Sequence, residues 1–204
     1  MERIVDGSSV TVIIASHPAR MKNGMLDRAV HSVSRQLTQP AEIMIVNDID
    51  ASGSDITRNK ALAKVTTRWT AFLDSDDEWL PNHLSVLLRN ISSNLDVIYT
   101  GCRVIDAYGQ VMPLQEEWGR FGKEFDPDLL MQKSYIPVTS LVRTKLAQYV
   151  GGFTYGPDSE YDDWGLYRNM LIQGAKFKHV PEITWIWHHH GANSSGKPGK
   201  GDAK

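Results

Sequence analysis

Cysteine is nearly absent from this chain. Cys102 stands alone among 204 residues, so no intrachain disulfide can form and a four-thiolate zinc site is excluded. Lying in the apolar run from Val97 to Val104, it reads as a buried structural thiol. Long apolar runs are missing too. No stretch approaches the roughly 20 apolar residues of a membrane span, and Met1 to Asp6 hold no apolar segment of signal-peptide length. Net charge is small, with 22 Lys+Arg against 24 Asp+Glu and a formal balance of -2, so the basic field of a general nucleic-acid or anionic-membrane binder is lacking. These absences predict a cytoplasmic protein with no transmembrane segment, in which any anion is held by local groups or a metal.

What is present is an ordinary soluble composition, 41% hydrophobic and 23% charged, enough for one substantial core. The chain is organised around one stretch, Phe72 to Trp79, where an apolar run stops in a cluster of carboxylates. Thr70 to Leu73 reads as a short buried strand. Side chains at i and i+2 of an extended chain point the same way, so Asp74 and Asp76 converge if strand geometry persists through Ser75. Hard oxygen ligands there suit Mg²⁺, Mn²⁺ or Ca²⁺ rather than zinc. The same residue types also suit a solvated turn or a helix N-cap.

The surrounding pattern alternates strand and helix. Val10 to Ala15 is a β-branched run expected in a strand buried on both faces. Leu26, Ala29, Val30, Val33 and Leu37 recur at helical spacing before Pro40. Glu42 to Asn47 reads as a second buried strand, and Asp55 to about Lys64 as a helix with Ile56, Ala61, Leu62 and Val65 on its apolar side. Such order implies parallel strands joined by right-handed crossovers, which brings Ala15 and Ser16, Asn47 and Asp48, and Asp74 to Asp76 to one sheet edge, where open α/β sheets bind ligands. Further on, Pro81 suits a first helical turn ahead of Leu84, Leu87, Leu88 and Ile91. Strands are expected at Val97 to Val104, Pro137 to Val142, Phe177 to Val180 and Ile183 to Trp187. Helices are expected at Asp126 to Met131, Thr144 to Tyr149 and from the acidic stretch Asp158 to Asp163, the last ended by Gly174. Residues 106–128 lack a clear pattern and suit variable specificity. The tail from Gly196 to Lys204 reads as flexible.

In order and content these motifs resemble the inverting nucleotide-diphospho-sugar glycosyltransferases of family 2, with the GT-A fold. The resemblance runs from Val10 to Ser195. Its carriers are the run Val10 to Ser16; Leu26, Ala29, Ser32, Val33 and Gln36; Ile45 to Asp48; Thr57 to Ala61; Phe72 to Asp77; Val150 to Phe153; Asp162 to Trp164; Gly174; and His190 to Ser194. Asn47 departs from the family's first acid after strand two, Ile49 and Asp50 from its Gly-Ser, and Asp162 from its usual Glu. The resemblance implies a Rossmann-like α/β sandwich with a mostly parallel central sheet, as a single domain over 1–195. Residues of about 10–100 would form the nucleotide-sugar half and about 101–195 the acceptor and catalytic half.

It further implies a metal-dependent enzyme moving a sugar from a nucleotide-diphospho-sugar, with a UDP-sugar as first choice, to an acceptor hydroxyl on a glycan, protein or small molecule. Ala15, Ser16, Asp48, Arg58, Asp74 and Ser75 would bind the donor, with Asp48 on the nucleobase. Asp76, Asp74 and His190 would hold Mn²⁺ or Mg²⁺. Asp163, or its neighbour Asp162, would be the general base. Trp79, Trp118 and Trp164 can stack on sugar rings but each suits core or pocket wall better than a specific platform. Two rivals stand beside this reading. A non-catalytic sugar or nucleotide-sugar binding module would account for the departures at Asn47, Ile49 and Asp162. A sugar-nucleotide nucleotidyltransferase would use the same sheet edge, but no Gly-rich triphosphate loop follows Ser16, where only Arg20 and Lys22 stand.

Overall fold

The computed structural model describes residues 6–113, 122–155 and 161–190. Its strands are β1 (Val10–Ser16), β2 (Glu42–Asn47), β3 (Trp69–Asp74), β4 (Glu78–Trp79), β5 (Val97–Asp106), β6 (Val111–Met112), β7 (Ser140–Arg143) and β8 (Phe177–His189). The helices are α1 (Pro18–Lys22), α2 (Met25–Ser34), α3 (Ser54–Leu62), α4 (His83–Arg89), α5 (Pro127–Gln132), α6 (Thr144–Tyr149) and α7 (Asp162–Ile172). One sheet runs in the order β2-β1-β3-β7-β5-β8-β4, with β6 paired to β5. Strands β1, β2, β3, β5 and β8 point one way, and β4, β6 and β7 the other. The mostly parallel α/β sheet expected from the sequence is the one observed.

Period-two alternation splits the core in two. Val10, Val12 and Ile14 of β1, with Trp69, Ala71 and Leu73 of β3, face Leu26, Ala29 and Val33 of α2 and Leu84, Val86 and Leu87 of α4. Ile13 and Phe72 point the opposite way, toward Ala61 and Leu62 of α3 and Leu166, Tyr167 and Met170 of α7. Each sheet face is thus closed by helices, as buried parallel strands require. Burial pushes the Cys102 thiol up to about 12, in keeping with a structural role.

Several local expectations are corrected. β2 is not buried: it is the sheet's edge, with Glu42, Ile45 and Asn47 exposed. Leu37 lies beyond the end of α2 and is 76% exposed, and Ile56 of α3 is exposed as well. Pro81 precedes α4 instead of opening it. The two short strands expected after Gly174 are one, β8, whose register against β5 shifts between Thr100 and Cys102. Pro181 explains the false break: it cannot donate to a ladder, and an irregularity absorbs it without ending the strand. Trp118 and the residues from Gly156 to Glu160 lie outside the described residues, as does the segment after His190.

Candidate active site

Parallel pairing sets the strand ends level. Ser16 is in register with Asn47, and Ala15 with both Val46 and Asp74, so the loops after β1, β2 and β3 open on one edge. The link from β2 is direct, since Asp48 N–H donates to the Ser16 carbonyl at 2.7 Å. The Asp48 carboxylate accepts from Ser52 N–H at 2.7 Å and Gly53 N–H at 2.9 Å. It therefore shapes the loop that leads into α3, where Gly53 adopts φ +112°, a region costly for any side chain.

After Asp74 the strand geometry does not persist. A turn closed by Asp77 N–H donating to the Asp74 carbonyl at 3.0 Å follows instead, with Ser75 buried inside it. That turn, not strand alternation, brings Asp74, Asp76 and Asp77 together with carboxylate oxygens within 4.8 Å of one another. Asp77 belongs to the cluster although the sequence assigned it no role. Its carboxyl is pushed well above the usual range by burial and by the charges of Asp76 and Asp74. Burial raises Asp74 as well; the Arg58 guanidinium draws it back and Asp76 pushes it up again. Asp76 moves the other way, because His190 and Arg20 outweigh the effect of burial.

Basic groups surround these acids. Arg28 of α2 donates through Nη2 to the Asp76 carbonyl, pinning the turn. Arg20 of α1 reaches Asp76 Oδ2 at 2.9 Å. β8 arrives from the far side of the sheet: its antiparallel pairing of Trp185 with Trp79 and Ile186 with Glu78 carries the following histidines alongside the turn. His188 N–H donates to Asp77 Oδ1 at 3.0 Å, and His190 Nε2 lies 3.0 Å from Asp76 Oδ2. Hard carboxylate oxygens with one imidazole, in a cluster where the Asp76 charge raises both Asp74 and Asp77, form a donor set that fits Mg²⁺ or Mn²⁺.

Arg58, only 8% exposed, joins this turn to α7. Its Nη1 donates to Asp162 Oδ2 at 2.6 Å and its Nη2 to Asp74 Oδ1 at 2.5 Å, while Ser54 Oγ donates to Asp162 Oδ2 at 2.8 Å. Asp162 and Asp74 overcome the burial that would otherwise lower the Arg58 pKa, and raise it. The guanidinium lies 5.1 Å from the Phe153 ring centre, and Phe153 meets Phe72 edge to face at 4.8 Å. Beside it, Asn59 donates to the Phe153 carbonyl at 2.7 Å and accepts from Phe153 N–H at 2.8 Å. A side chain at Gly152, with φ +73°, would overlap the Asn59 amide. The Arg58-Asn59 and Gly151 to Phe153 motifs, far apart in the sequence, are thus the two halves of one contact.

Asp162 is buried by this pairing, whereas Asp163 is half-buried at the first turn of α7 and its Oδ1 accepts from Trp164 N–H at 2.8 Å. Trp79 and Trp164 are core residues, 2% and 9% exposed. Arg20 and Arg28 received no role from sequence. Arg20 shares the short helix α1 with Lys22 and Arg28 flanks the apolar face of α2, so neither carries a local signal of its role.

The fold has known counterparts. A curated relative in Bacillus subtilis strain 168, the uncharacterized glycosyltransferase YwdF, is 22% identical over 183 residues, covering 78% of this chain and 67% of its own. TarS 1-349 from S. aureus, solved in complex with UDP-GlcNAc, superposes with a TM-score of 0.65 at 14% identity over 93% of this chain. The mannosyltransferase PcManGT from Pyrobaculum calidifontis, solved with GDP-Man and Mn²⁺, gives 0.63 at 12% identity over 88%. These place the fold among the GT-A glycosyltransferases. The chain spans only 60% of the length of TarS 1-349 and 56% of PcManGT. Among the described residues no helix is long and apolar enough to cross a membrane. The family described as Glycosyl transferase family 2 matches residues 49–177, a span that takes in Arg58, the Asp74 to Asp77 turn and the start of α7, and the chain belongs to that family.

Proposed function

We propose that this protein transfers a sugar, with inversion, from a nucleotide-diphospho-sugar to an acceptor hydroxyl. The observation that carries the reading is the two-armed pairing of Arg58, which fixes the acidic turn after β3 and the N-terminus of α7 against each other. Breaking the bond between the anomeric carbon and phosphate builds negative charge on the leaving diphosphate, while the attacking hydroxyl must lose a proton on the opposite face. Asp76, Asp74 and His190 would hold a divalent Mn²⁺ or Mg²⁺, which supplies charge stabilisation to the leaving group.

Of the two acids on α7, Asp163 is the general base. Asp162 is committed to Arg58 and Ser54 through Oδ2 and accepts Asp163 N–H through Oδ1, so both of its oxygens are already engaged. Ala15, Ser16, Asp48 and Ser75 line the edge where the nucleotide would lie, with a UDP-sugar as the first candidate because a carboxylate can accept from uracil N3–H. In Asp48 that acceptor capacity is additional to its two loop contacts, since a carboxylate offers about four lone-pair sites. The division at about residue 100 into a donor half and an acceptor half belongs to the same proposal. So does a cytoplasmic setting, supported by the lone, buried Cys102.

The test is calorimetric titration of UDP, GDP and dTDP into wild type and Asp76→Ala, each with Mn²⁺ and with EDTA. We expect one nucleotide to bind with metal, and the binding to vanish in EDTA and in the variant. Absence of nucleotide binding under every condition would remove the donor site and the reading with it.

A further inference from the structure

Arg20 occupies the place a metal would take. Its Nη1 lies 2.9 Å from Asp76 Oδ2 and 2.6 Å from His190 Nε2, and those two atoms are 3.0 Å apart. The three form a compact triangle with the guanidinium nitrogen at its apex. A divalent ion bonded to both the oxygen and the imidazole nitrogen needs contacts of about 2.0–2.2 Å, and on the side of the pair that Arg20 fills this position overlaps Nη1. On that side, metal and guanidinium exclude one another.

The surroundings of Arg20 allow it to leave. Its guanidinium end is buried and also touches Met25 Sδ at 3.3 Å, yet the helix that carries it is a single five-residue turn whose Pro18, Ala19, Met21 and Lys22 are exposed. This helix is bounded by His17, whose Nδ1 accepts from Ala19 N–H at 3.2 Å, and by Gly24 at φ +76° with no atom within 4 Å of the position a Cβ would take. Arg20 is the one buried residue of this helix.

Resting on the donor-site reading above, we propose that Arg20 is the resident counter-ion of the metal position, that metal entry displaces it, and that the displaced guanidinium then pairs with the diphosphate of the donor. A guanidinium suits that exchange, since its planar fork matches phosphate as well as carboxylate. Metal alone would have to break the Arg20 contacts without replacing them. Metal with a nucleoside diphosphate gives Arg20 a new anion, so the two ligands load together.

The experiment measures Mn²⁺ affinity by electron paramagnetic resonance, with and without UDP, in wild type, Arg20→Gln and Arg20→Lys, with thermal unfolding as a folding control. With its competitor gone, Arg20→Gln is expected to bind Mn²⁺ alone about tenfold more tightly, the equivalent of one charge-assisted hydrogen bond, and UDP is expected to raise its Mn²⁺ affinity less than it does in wild type. Arg20→Lys keeps the charge but loses the planar fork and falls between; it carries the test if the glutamine variant does not fold. Unchanged or weaker Mn²⁺ binding in the folded variants, with wild type binding Mn²⁺ and UDP, overturns this proposal alone. Failure of wild type to bind either overturns the donor-site reading and this proposal together.

Discussion

Replacing Arg58 with methionine tests the link on which the site depends. Methionine keeps most of the apolar stem but removes the charge, leaving Asp162, with an 8% exposed side chain, without its counter-ion. Removing one partner of a buried ion pair costs about 3–5 kcal/mol. The second arm adds little, because the Asp74 side chain keeps 32% exposure and water can replace much of what it loses. Arg58→Met should therefore destabilise by roughly 3–5 kcal/mol, a fall in Tm of roughly 6–20 °C for a chain of this size. Asp162→Asn should also destabilise, by stranding the buried guanidinium on a single partner. The double variant should cost less than the two singles together, by more than about 2 kcal/mol. Urea unfolding with unchanged slopes gives the cycle directly. A cost below about 1 kcal/mol for Arg58→Met, or additivity within about 0.5 kcal/mol, would refute the pairing as the tie between β3 and α7.

Two further outcomes follow from individual side chains. Asp163→Asn should lower sugar transfer by at least about 100-fold, the typical contribution of a positioned general base, while donor affinity measured by calorimetry stays at the wild-type value; wild-type turnover would sink Asp163 as the base. His83, fully buried with Nδ1 2.6 Å from Thr184 Oγ1, has its pKa lowered by burial from 6.5 to about 3. Between those values the unfolded chain binds a proton that the folded one refuses, so stability rises with pH and this contribution is complete above 6.5. Linkage makes its loss on acidification to about pH 3 roughly 4–5 kcal/mol. His83→Asn should flatten the acid limb of a urea stability profile by that amount, and parallel profiles for the two proteins would contradict it.

How much of this was legible beforehand depends on how local the signal was. Helix α6 is read from the sequence to the residue, Thr144–Tyr149, because Gly151 and Gly152 stop it within the same short stretch. α5 is equally local: Asp126 accepts from Leu129 N–H at 3.0 Å ahead of Pro127, as an N-cap with proline at the first helical position should. The exposure of β2 was not legible, since an apolar strand reads alike at an edge and in the centre, and strand order is a long-range property. Within the site, the sequence brought Asp74 and Asp76 together by strand alternation and reached a correct proximity through the wrong geometry. Arg20 and Arg28 stayed invisible because nothing local distinguishes a basic residue that turns inward onto an acidic cluster from one that faces water.

Those two arginines, together with Arg58, explain how so many acids coexist. Asp74, Asp76, Asp77 and Asp162 gather at a partly buried edge where their mutual repulsion would be severe. Arg58 answers Asp74 and Asp162, Arg20 answers Asp76, and Arg28 lies near Asp77 and lowers its pKa. The site is close to electrically balanced before anything binds. A nucleotide-diphospho-sugar carries about two negative charges and its metal two positive ones, so in the proposed function both enter without changing the net charge of this partly buried edge. Entry of either alone leaves two uncompensated charges there, which desolvation makes costly. The Arg20 exchange would let that balance be kept locally as well as in total: the guanidinium released by the metal is the cation the diphosphate lacks. Coupled loading of metal and nucleotide then follows from the charge arrangement of the folded chain, with no large conformational change required.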